Sequence, residues 1–485
     1  MRMMQGMNEL PDLTRLSHAE KDELICRLWP LQFELAKLIA RVTELETRLA
    51  KNSRNSNKPP GTEGLSKPPP KSSRPVSGRK RGGQPGHKGT TLERTETPDE
   101  IVIHPLPATC DACGTPLDQA EVTVLKDRRQ VFDIPVPTFT VTEHRIVQGR
   151  CTCGVVVRGT FPPGVIGPTQ YGAGVTALAA HLTQHHMMPV ERTAGLISDL
   201  YRLPISTATV MGMIMTTAEV VAATVVRIGQ GITQAVAAGA DETGLRVAGK
   251  LHWLHTLATT ISTWMGVHPK RGREAIDEFD LIPRFGGILG HDGWMPYRHY
   301  ADCQHSLCNA HHVRELRAIA ELGNNAWAQQ MIDLLYRAND EVNAAAERRL
   351  SQERIDALRT EYRTLLTTGE VLNPSAPSSG RRGRTRQSDA TNLLARLRLY
   401  ENDVLRFTFN PDAPFTNNIA EQAIRMCKVK QKVSGCFRTL NGAAAFCTIR
   451  SYLATLHKQK FNLYHSLVQA LQGNVPQPSF GRANA

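Results

Sequence analysis

Three acidic residues stand where carboxylates can meet around divalent metal ions. Asp241 ends the apolar run TQAVAAGAD and Asp292 ends the run GGILGHD, so both are predicted at the carboxyl ends of strands. Glu421 lies in FTNNIAEQAIR, where Thr416 or Asn417 can N-cap a helix that carries it. Carboxylate oxygens suit Mg²⁺, and two such ions about 4 Å apart can activate the attacking oxygen and stabilise the leaving oxygen at a phosphodiester.

The residues alone do not select these three acids from the 45 in the chain. Three others remain open as alternatives on this pattern: Glu242, Asp302 and Asp389.

Four of the ten cysteines stand in two close pairs, each with a glycine directly behind it. They are Cys110 and Cys113, in CDACG, and Cys151 and Cys153, in CTCG. Four thiolates spaced in this way can surround a tetrahedral zinc ion, and the glycines let backbone amides turn toward the sulfurs. The second pair is one residue shorter than usual, and four unrelated buried thiols are the alternative. We therefore predict a small zinc-ribbon-like module over residues 101–165.

A leucine-rich segment precedes this module. SHAE at residues 17–20 has the spacing of a capping box, and Leu or Val then recurs at spacings of four and three over residues 24–49, which is typical of a coiled coil. Because Pro30 cannot donate a helical hydrogen bond, we expect a break there and a firm seam over residues 31–49. The prediction is an oligomerisation helix within residues 1–50; an amphipathic helix packed on its own protein is the alternative.

Residues 51–100 are predicted to be a basic linker rich in proline and glycine. Residues 51–90 hold ten Lys or Arg against one acid, Glu63, and so carry +9 of the net charge of +13. Such a segment cannot bury a core, and its cations can contact DNA phosphates. A solvated tether is the alternative. The predicted DNA-contacting residues of its densest part are Arg79, Lys80, Arg81 and Lys88.

Residues 166–230 are predicted to be helical. YGAGVTALAAHLTQHH predicts one helix, Pro189 can open a second, and Ser206 can N-cap a third that runs to about Val226. A helix, a short turn and a helix are typical of a helix-turn-helix DNA-binding unit, although helical hairpins that bind nothing are commoner.

The pattern changes to strands after residue 230. An α/β catalytic core is predicted over residues 231–450, with a polar helical insertion at about 313–403 and a C-terminal element at 451–485. Within the core, LCNAH places Cys308 and His311 three residues apart. They fit a second metal site or a structural role, of which we favour the structural one.

A basic segment follows Glu421. Its cations are Lys428, Lys430, Lys432 and Arg438. We predict that they hold the DNA backbone beside the acids; a solvated basic helix face is the alternative.

Several motifs, in this order, resemble the insertion-sequence-66 family of bacterial transposases. They are ADETG, GHDGW followed by HSLCNAHHVREL, and FTNNIAEQAIRMCKVKQKVSGCFR. A leucine-rich helix, the tracts KNSRNSNKPP and RGGQPGHKG, and a cysteine module precede them, as in that family. The resemblance extends from about residue 20 to about residue 470.

The resemblance implies an RNase-H-like core with an Asp-Asp-Glu triad, formed here by Asp241 of ADET, Asp292 of HDGW and Glu421 of NNIAEQ. These residues would be ligands of two Mg²⁺ ions, and the cysteine module would hold Zn²⁺. The gap of 129 residues between Asp292 and Glu421 accommodates the helical insertion that the family implies. The implied function is cleavage of DNA at transposon terminal inverted repeats and strand transfer into target DNA, by a homo-oligomer that accessory proteins of the same element can assist.

Length and composition limit the class of protein. The chain has 485 residues, of which 41% are hydrophobic, so it fits a multidomain α+β protein and not a disordered or collagen-like chain. No run of 18 uncharged apolar residues occurs, and MRMMQGMNELPD lacks the apolar stretch of a signal peptide. We therefore expect a cytoplasmic protein with no membrane partner, and the resemblance implies that it is bacterial and nucleoid-associated.

Two other functions fit the same residues. One is a non-catalytic, zinc-containing DNA-binding regulator, and the other is a metal-dependent nuclease without strand transfer. The presence of all three acids in their motifs counts against the regulator, because a retired enzyme tends to lose them. Terminal inverted repeats around the gene would favour transposition over both.

Overall fold

The computed structural model describes residues 14, 16–50, 86, 92–123, 128–321, 325–377 and 385–480. Most of the basic linker lies outside these residues, and with it lie the four predicted DNA-contacting cations Arg79, Lys80, Arg81 and Lys88.

The N-terminal helix α1, His18–Ala50, is continuous. The predicted capping box is confirmed: the Ser17 N–H donates to Glu20 Oε2 at 2.8 Å, and the Glu20 N–H donates to Ser17 Oγ at 3.3 Å. The predicted break at Pro30 is wrong, because the helix runs through it. A proline removes one backbone hydrogen bond, and in an exposed helix water can solvate the carbonyl that it leaves open, so the turns on both sides persist.

The leucine seam of α1 is exposed to solvent. Leu31 is 58% exposed and Leu38 is 61% exposed, although both are large apolar side chains. The helix therefore does not bury the seam against its own chain.

The cysteine module consists of turns and one hairpin. Strand β1, Gln148–Arg150, pairs antiparallel with β2, Val156–Arg158, and the turn between them carries the second cysteine pair.

Three helices follow, as predicted. They are α2, Ala173–Ala180, which continues as a π-helical turn, His181–His185; α3, Val190–Tyr201; and α4, Thr207–Thr233. Pro189 and Ser206 occupy the predicted N-cap positions, and Ser206 Oγ accepts a hydrogen bond from the Thr209 N–H at 3.1 Å. Helix α4 extends beyond the expected end at Val226.

Helix α4 is, among the described helices, the one long and apolar enough to cross a membrane by length and composition alone. One face of the helix, with Val221 and Ile228, is buried in the same cluster as residues of the sheet and of the C-terminal helices, whereas Val226 is exposed. Helix α4 is therefore a core helix of this fold.

A five-stranded sheet has the order β5-β4-β3-β6-β7. The strands are β3, Ala237–Val247; β4, Lys250–Ala258; β5, Thr263–His268; β6, Ile288–His291; and β7, Gln304–Leu307. The first three form an antiparallel meander, β6 is parallel to β3, and β7 is parallel to β6. Strand β3 is largely buried on both faces, as expected for a central strand. Helix α5, Arg273–Phe279, lies between β5 and β6, and a 3₁₀ turn, Met295–His299, follows β6.

Helices occupy the predicted insertion. They are α6, Asn309–Glu321; α7, Ala326–Ala344; α8, Gln352–Leu372; α9, Asp389–Leu399; and α10, Glu401–Val404, followed by a 3₁₀ turn, Arg406–Thr408. Their buried side chains form a separate cluster around Trp327, Tyr362 and Leu394.

The chain returns to the sheet through three further helices. They are α11, Asn418–Ser434; α12, Leu440–Lys458; and α13, Leu463–Leu471. One hydrophobic cluster contains Ile197 of α3, Ala240 of β3, Tyr452 of α12 and Leu467 of α13. The predicted segments 166–230, 231–450 and 451–485 thus share a core.

Candidate active site and metal-binding residues

The register of two parallel strands brings Asp241 and Asp292 to the same level of the sheet. Gly239 of β3 pairs with Gly290 of β6. Each aspartate lies two residues beyond its paired glycine, and residues two apart on a strand face the same side. The two aspartates therefore lie at one level of the sheet and on one face. The prediction that Asp241 ends its strand is wrong, because β3 continues to Val247 through its pairing with β4, whereas Asp292 directly follows β6 as predicted.

Helix α11 covers this face with its N-terminus. Asn417, which precedes the helix, donates its side-chain N–H to the backbone oxygen of Ala240 at 2.8 Å. The approach is close: a Cβ at Gly239 would lie 2.2 Å from Asn417 Oδ1, so this strand position requires glycine. Glu421 lies in the first turn of α11, and its negative charge acts on Asp241. The carboxylate oxygens of Asp241, Asp292 and Glu421 do not all lie within 4.8 Å of one another.

The predicted N-cap at Asn417 is correct in position, but its side chain makes no capping bond. The amide is instead engaged with β3, so Asn417 anchors the helix to the sheet. The sequence contains no signal for this role, because the partner carbonyl lies 177 residues away.

Electrostatics at Asp241 show an unneutralised acid cluster. Burial raises the pKa of Asp241 to about 8, and the negative charges of Glu242, Asp292 and Glu421 act in the same direction. Asp292 is exposed, and its Oδ1 accepts the backbone N–H of Trp294 at 2.8 Å. A divalent cation would compensate both the desolvation and the mutual repulsion, so the three carboxylates fit Mg²⁺.

The alternative acid Glu242 is occupied by protein partners. Arg271 donates to its Oε1 at 2.7 and 3.0 Å, and the Tyr297 hydroxyl donates to its Oε2 at 2.5 Å. Burial raises the pKa of Glu242, while Tyr297 and Arg271 oppose that shift. With both oxygens engaged, Glu242 is suited to a structural role.

The other two alternatives lie elsewhere. Asp302 is exposed in the loop before β7, and Asp389 is exposed in the first turn of α9, within the insertion.

Sequence reasoning also missed the partners of Glu242. The Arg271 guanidinium stacks between the rings of Trp253 and Trp294, at 4.8 and 4.2 Å from their centroids. This arrangement brings together residues from β4, from the segment after β5 and from the segment after β6. Only the tertiary pairing of those elements reveals it.

Cys308 and His311 lie beside Glu421. Cys308 follows β7 at the level at which Asp292 follows β6, because His291 pairs with Leu307. The Cys308 thiol is 3.7 Å from Glu421 Oε1, and His311 Nδ1 is 3.8 Å from the same oxygen. Burial, together with the charge of Glu421, raises the pKa of Cys308 to about 12.

The four cations of the predicted basic segment differ in exposure and in their partners. Lys428 Nζ donates to the backbone oxygen of Gly244 at 2.8 Å, so this cation is engaged with β3. Lys430 is half-buried, and burial lowers its pKa. Lys432 and Arg438 are exposed.

The two cysteine pairs sit on two similar turns. The Cys110 N–H donates to the Thr115 oxygen at 2.9 Å, and the Cys151 N–H donates to the Val155 oxygen at 2.8 Å. The glycines behind the pairs adopt positive φ, 72° at Gly114 and 88° at Gly154. Both turns thus have the local form that the zinc prediction expects of them.

The four sulfurs are not gathered around one centre. Among the residues that the structure describes, the one set of three or more potential ligand atoms within 4.8 Å of one another is Cys308, His311 and Glu421. The two turns supply the donor chemistry of a zinc site, and the energy that would draw four thiolates together is normally that of the metal itself.

Comparisons with known families identify the family of the chain. The model described as "Transposase IS66 family" matches residues 168–445, which is 278 of 485 residues. The "zinc-finger binding domain of transposase IS66" matches residues 107–154, and a family of unknown function (DUF6444) matches residues 8–93. The comparison with curated proteins gives no match. The matched model covers more than half of the chain and contains the three acids, and a zinc-finger domain precedes it, so the chain belongs to the IS66 family of transposases.

Proposed function

We propose that this transposase cleaves DNA at the terminal inverted repeats of its element and transfers the freed 3′ ends into target DNA, with Asp241, Asp292 and Glu421 as ligands of two Mg²⁺ ions. The observation that carries the proposal is the shared register level of Asp241 and Asp292, together with Glu421 on the helix that the Asn417 anchor docks on β3 and with the effect of its charge on Asp241. When bound, the metal ions supply activation of the attacking oxygen and stabilisation of the leaving oxygen.

The chain's own residues divide the remaining work. Asp241 is the half-buried ligand; because its pKa is raised, binding of a metal ion would displace its proton and relieve the repulsion among the acids. Asp292 is exposed, so the scissile phosphate can approach it from solvent. Lys432 and Arg438 are exposed on and just beyond α11 and would hold the DNA backbone, whereas Lys428 contributes to the docking of α11.

We infer that the core is RNase-H-like. Two features support this: an antiparallel three-stranded meander that two parallel strands extend, and an acid on the central strand beside an acid on its parallel neighbour. Helices α6–α10, with their own hydrophobic cluster, would be the insertion between the second and third acids.

The partners follow from the other segments. Cys110, Cys113, Cys151 and Cys153 would bind one zinc ion. The exposed seam of α1 would pair with a second copy of the chain, which makes the active form at least a dimer. The net charge of +13 favours a polyanionic partner, which we propose is DNA. Accessory proteins of the same element would be further partners. The expected location is the bacterial nucleoid.

The decisive experiment is end cleavage by Asp292→Asn in Mg²⁺. The amide has nearly the shape of the acid but lacks the charge that holds the metal, so cleavage should fall at least about 100-fold while end-DNA binding survives. The matched control is Asp302→Asn, which neutralises an exposed acid outside the cluster and should leave cleavage unchanged.

Three results would contradict the proposal. Full activity of Asp292→Asn would remove this residue from the metal site. Cleavage by the wild-type protein without joining would identify a metal-dependent nuclease. End-DNA binding with neither reaction would identify a regulator.

A further inference from the structure

Cys308, His311 and Glu421 form a cluster that the proposed Mg²⁺ site does not use in full. Their potential ligand atoms all lie within 4.8 Å of one another. Cys308 and His311 come from the junction of β7 and α6, where the His311 N–H donates to the Cys308 oxygen at 3.1 Å. Glu421 comes from α11, so the cluster joins two elements that are distant in the chain.

The distances fit a tetrahedral transition-metal ion. Zinc bonds of about 2.3 Å to sulfur, 2.0–2.1 Å to nitrogen and 2.0–2.2 Å to oxygen place tetrahedral ligands about 3.4–3.6 Å apart. The Cys308 Sγ–Glu421 Oε1 distance is 3.7 Å, and the His311 Nδ1–Glu421 Oε1 distance is 3.8 Å. Shifts of a few tenths of an ångström would therefore suffice, with water as the fourth ligand.

The donors are also of the appropriate type. His311 Nδ1 is buried and has no hydrogen-bond partner among the residues that the structure describes, so its lone pair is available. The backbone N–H of Asn417 donates to Cys308 Sγ at 3.2 Å, which would stabilise a thiolate. A set of sulfur, nitrogen and oxygen atoms selects zinc-like ions, because Mg²⁺ prefers oxygen ligands only.

We propose that Cys308, His311 and Glu421 bind a zinc-like transition ion and that this ion inhibits the transposase. On binding, the Cys308 thiol releases its proton to solvent as the sulfur–metal bond forms, the neutral His311 ring shares its Nδ1 lone pair, and no group is oxidised or reduced. The binding step is independent of the proposed function; the inhibition rests on it.

Inhibition follows from the shared ligand. Glu421 Oε1 faces Cys308 and His311, so an ion held there withdraws this oxygen from the Asp241–Asp292 side. The bound ion also adds positive charge next to the Mg²⁺ site and so lowers the affinity for Mg²⁺. If the Cys308 thiol only oriented Glu421, it would neither withdraw that oxygen from the Asp241–Asp292 side nor lower the affinity for Mg²⁺.

Binding is tested on the full chain with Co²⁺ alone as the probe. The cysteine module is first loaded with one equivalent of Zn²⁺ per chain, which the four thiolates bind in preference to the mixed site, and Co²⁺ is then added in the presence of Mg²⁺. The readout is the thiolate-to-cobalt charge-transfer absorption together with the number of ions bound. Cys308→Ser is compared with Cys303→Ser, a matched control, since Cys303 is also buried but its thiol donates to the Tyr300 oxygen.

The wild-type protein and Cys303→Ser should each bind one more Co²⁺ per chain than Cys308→Ser, with the charge-transfer band. His311→Gln should weaken this binding by more than about tenfold, since even the loss of an outer-sphere partner costs 10–100-fold. Circular dichroism of each variant verifies its fold. Absence of the band from the wild-type protein, or its persistence in Cys308→Ser, would overturn the site.

Inhibition is tested by titrating Zn²⁺ into the end-cleavage reaction at constant Mg²⁺. Cleavage by the wild-type protein and by Cys303→Ser should fall over the range of Zn²⁺ concentration that displaces Co²⁺ from the site. Cleavage that persists when the site is full would overturn the inhibition. If Mg²⁺ alone gives no cleavage, the proposed function has failed, and the cobalt band alone decides whether the site exists.

Discussion

At the scale of a single residue, Asp241, the proposed metal ligand, is an acid in an unfavourable electrostatic environment. Its carboxyl group is desolvated and surrounded by the charges of Glu242, Asp292 and Glu421, which together raise its pKa to about 8. Glu242, one residue along, is more deeply buried, but Arg271 and Tyr297 satisfy both of its oxygens. The charge of Glu242 is therefore compensated by protein partners, whereas the charged form of Asp241 is one that a bound cation would stabilise.

Asp241→Asn should stabilise the protein in the absence of Mg²⁺. The unfolded carboxyl ionises above about pH 4 and the folded one only above about pH 8, so wild-type stability falls as the pH rises through this window. Asparagine does not titrate. The advantage of the variant should therefore be absent below pH 4, grow between pH 4 and pH 8, and reach on the order of 1–3 kcal/mol above pH 8.

Chemical denaturation at pH 5 and pH 9 measures this difference, with Asp302→Asn as the exposed control. Addition of Mg²⁺ should then stabilise the wild-type protein more than Asp241→Asn. A variant that is less stable than the wild-type protein at pH 9 would contradict the assignment of an uncompensated acid.

At the scale of elements, local turns and helices form where the sequence predicts them, but their assembly needs a further partner. The two cysteine turns have their glycines at positive φ and their own hydrogen bonds, yet the four sulfurs remain apart. Helix α1 has its capping box, yet its seam lies in solvent. A metal ion would bring the two cysteine turns together, and a second copy of the chain would cover the seam of α1.

The purified protein should contain one zinc ion per chain in the cysteine module. Cys110→Ser should lose this ion and, because binding of structural zinc is coupled to folding, should also make residues 101–165 more sensitive to proteolysis. Elemental analysis and limited proteolysis measure both effects. Cys26→Ser is the matched control, since Cys26 is an exposed cysteine of α1. Equal zinc contents in the two variants would refute the ligand assignment.

Removal of the α1 seam should lower the oligomeric state. Each buried leucine contributes roughly 1.5–3 kcal/mol, so five seam positions per chain can outweigh the cost of association. Sedimentation of a chain lacking residues 1–50, and of the double variant Leu35→Glu and Leu38→Glu, should show dissociation. Lys37→Gln, a change of an exposed polar residue between them, should have no such effect. An unchanged oligomer without residues 1–50 would reject this role.

At the scale of the whole molecule, charge and core are separated along the chain. Residues 51–90 carry +9 of the net charge of +13, whereas one hydrophobic cluster joins the helices of 166–230 with the sheet and the C-terminal helices. Because sequence readout requires side chains held against base edges, affinity and specificity for DNA should come from different parts of the protein.

Neutralising the basic linker should weaken DNA binding without changing its specificity. If about five of the ten cations in residues 51–90 engage phosphates, replacing all ten by Gln should flatten the plot of log affinity against log salt by roughly 4–5 units. Keeping the length of the linker constant preserves the tether, so only charge is changed. Titrations at several salt concentrations, on end DNA and on random DNA, measure the slope and the discrimination. An unchanged salt slope would indicate that the linker only connects the domains and does not contact DNA. A loss of discrimination between end DNA and random DNA would indicate that the linker recognises sequence.

The sequence by itself determined the features that neighbouring residues decide. The capping box of Ser17 and Glu20, the Ser206 cap of α4, and the strands that carry Asp241 and end before Asp292 were predictable, because turns, caps and periodicity act over a few residues. The motif order was enough to single out Asp241, Asp292 and Glu421, although their chemistry alone left Glu242 open.

Tertiary structure decided which of these groups meet and what each is free to do. Asp241 and Asp292 are 51 residues apart in the chain, and the pairing of β3 with β6 places them at the same level of the sheet. Glu421 follows Asp292 by 129 residues, and the hydrogen bond of Asn417 to β3 docks the helix that carries it. The same packing commits Lys428 to a backbone oxygen and places Cys308 against Glu421. No local sequence pattern predicts these contacts, because each depends on strand register and on the docking of a helix. Register and docking are in turn determined together by the packing of the whole hydrophobic core.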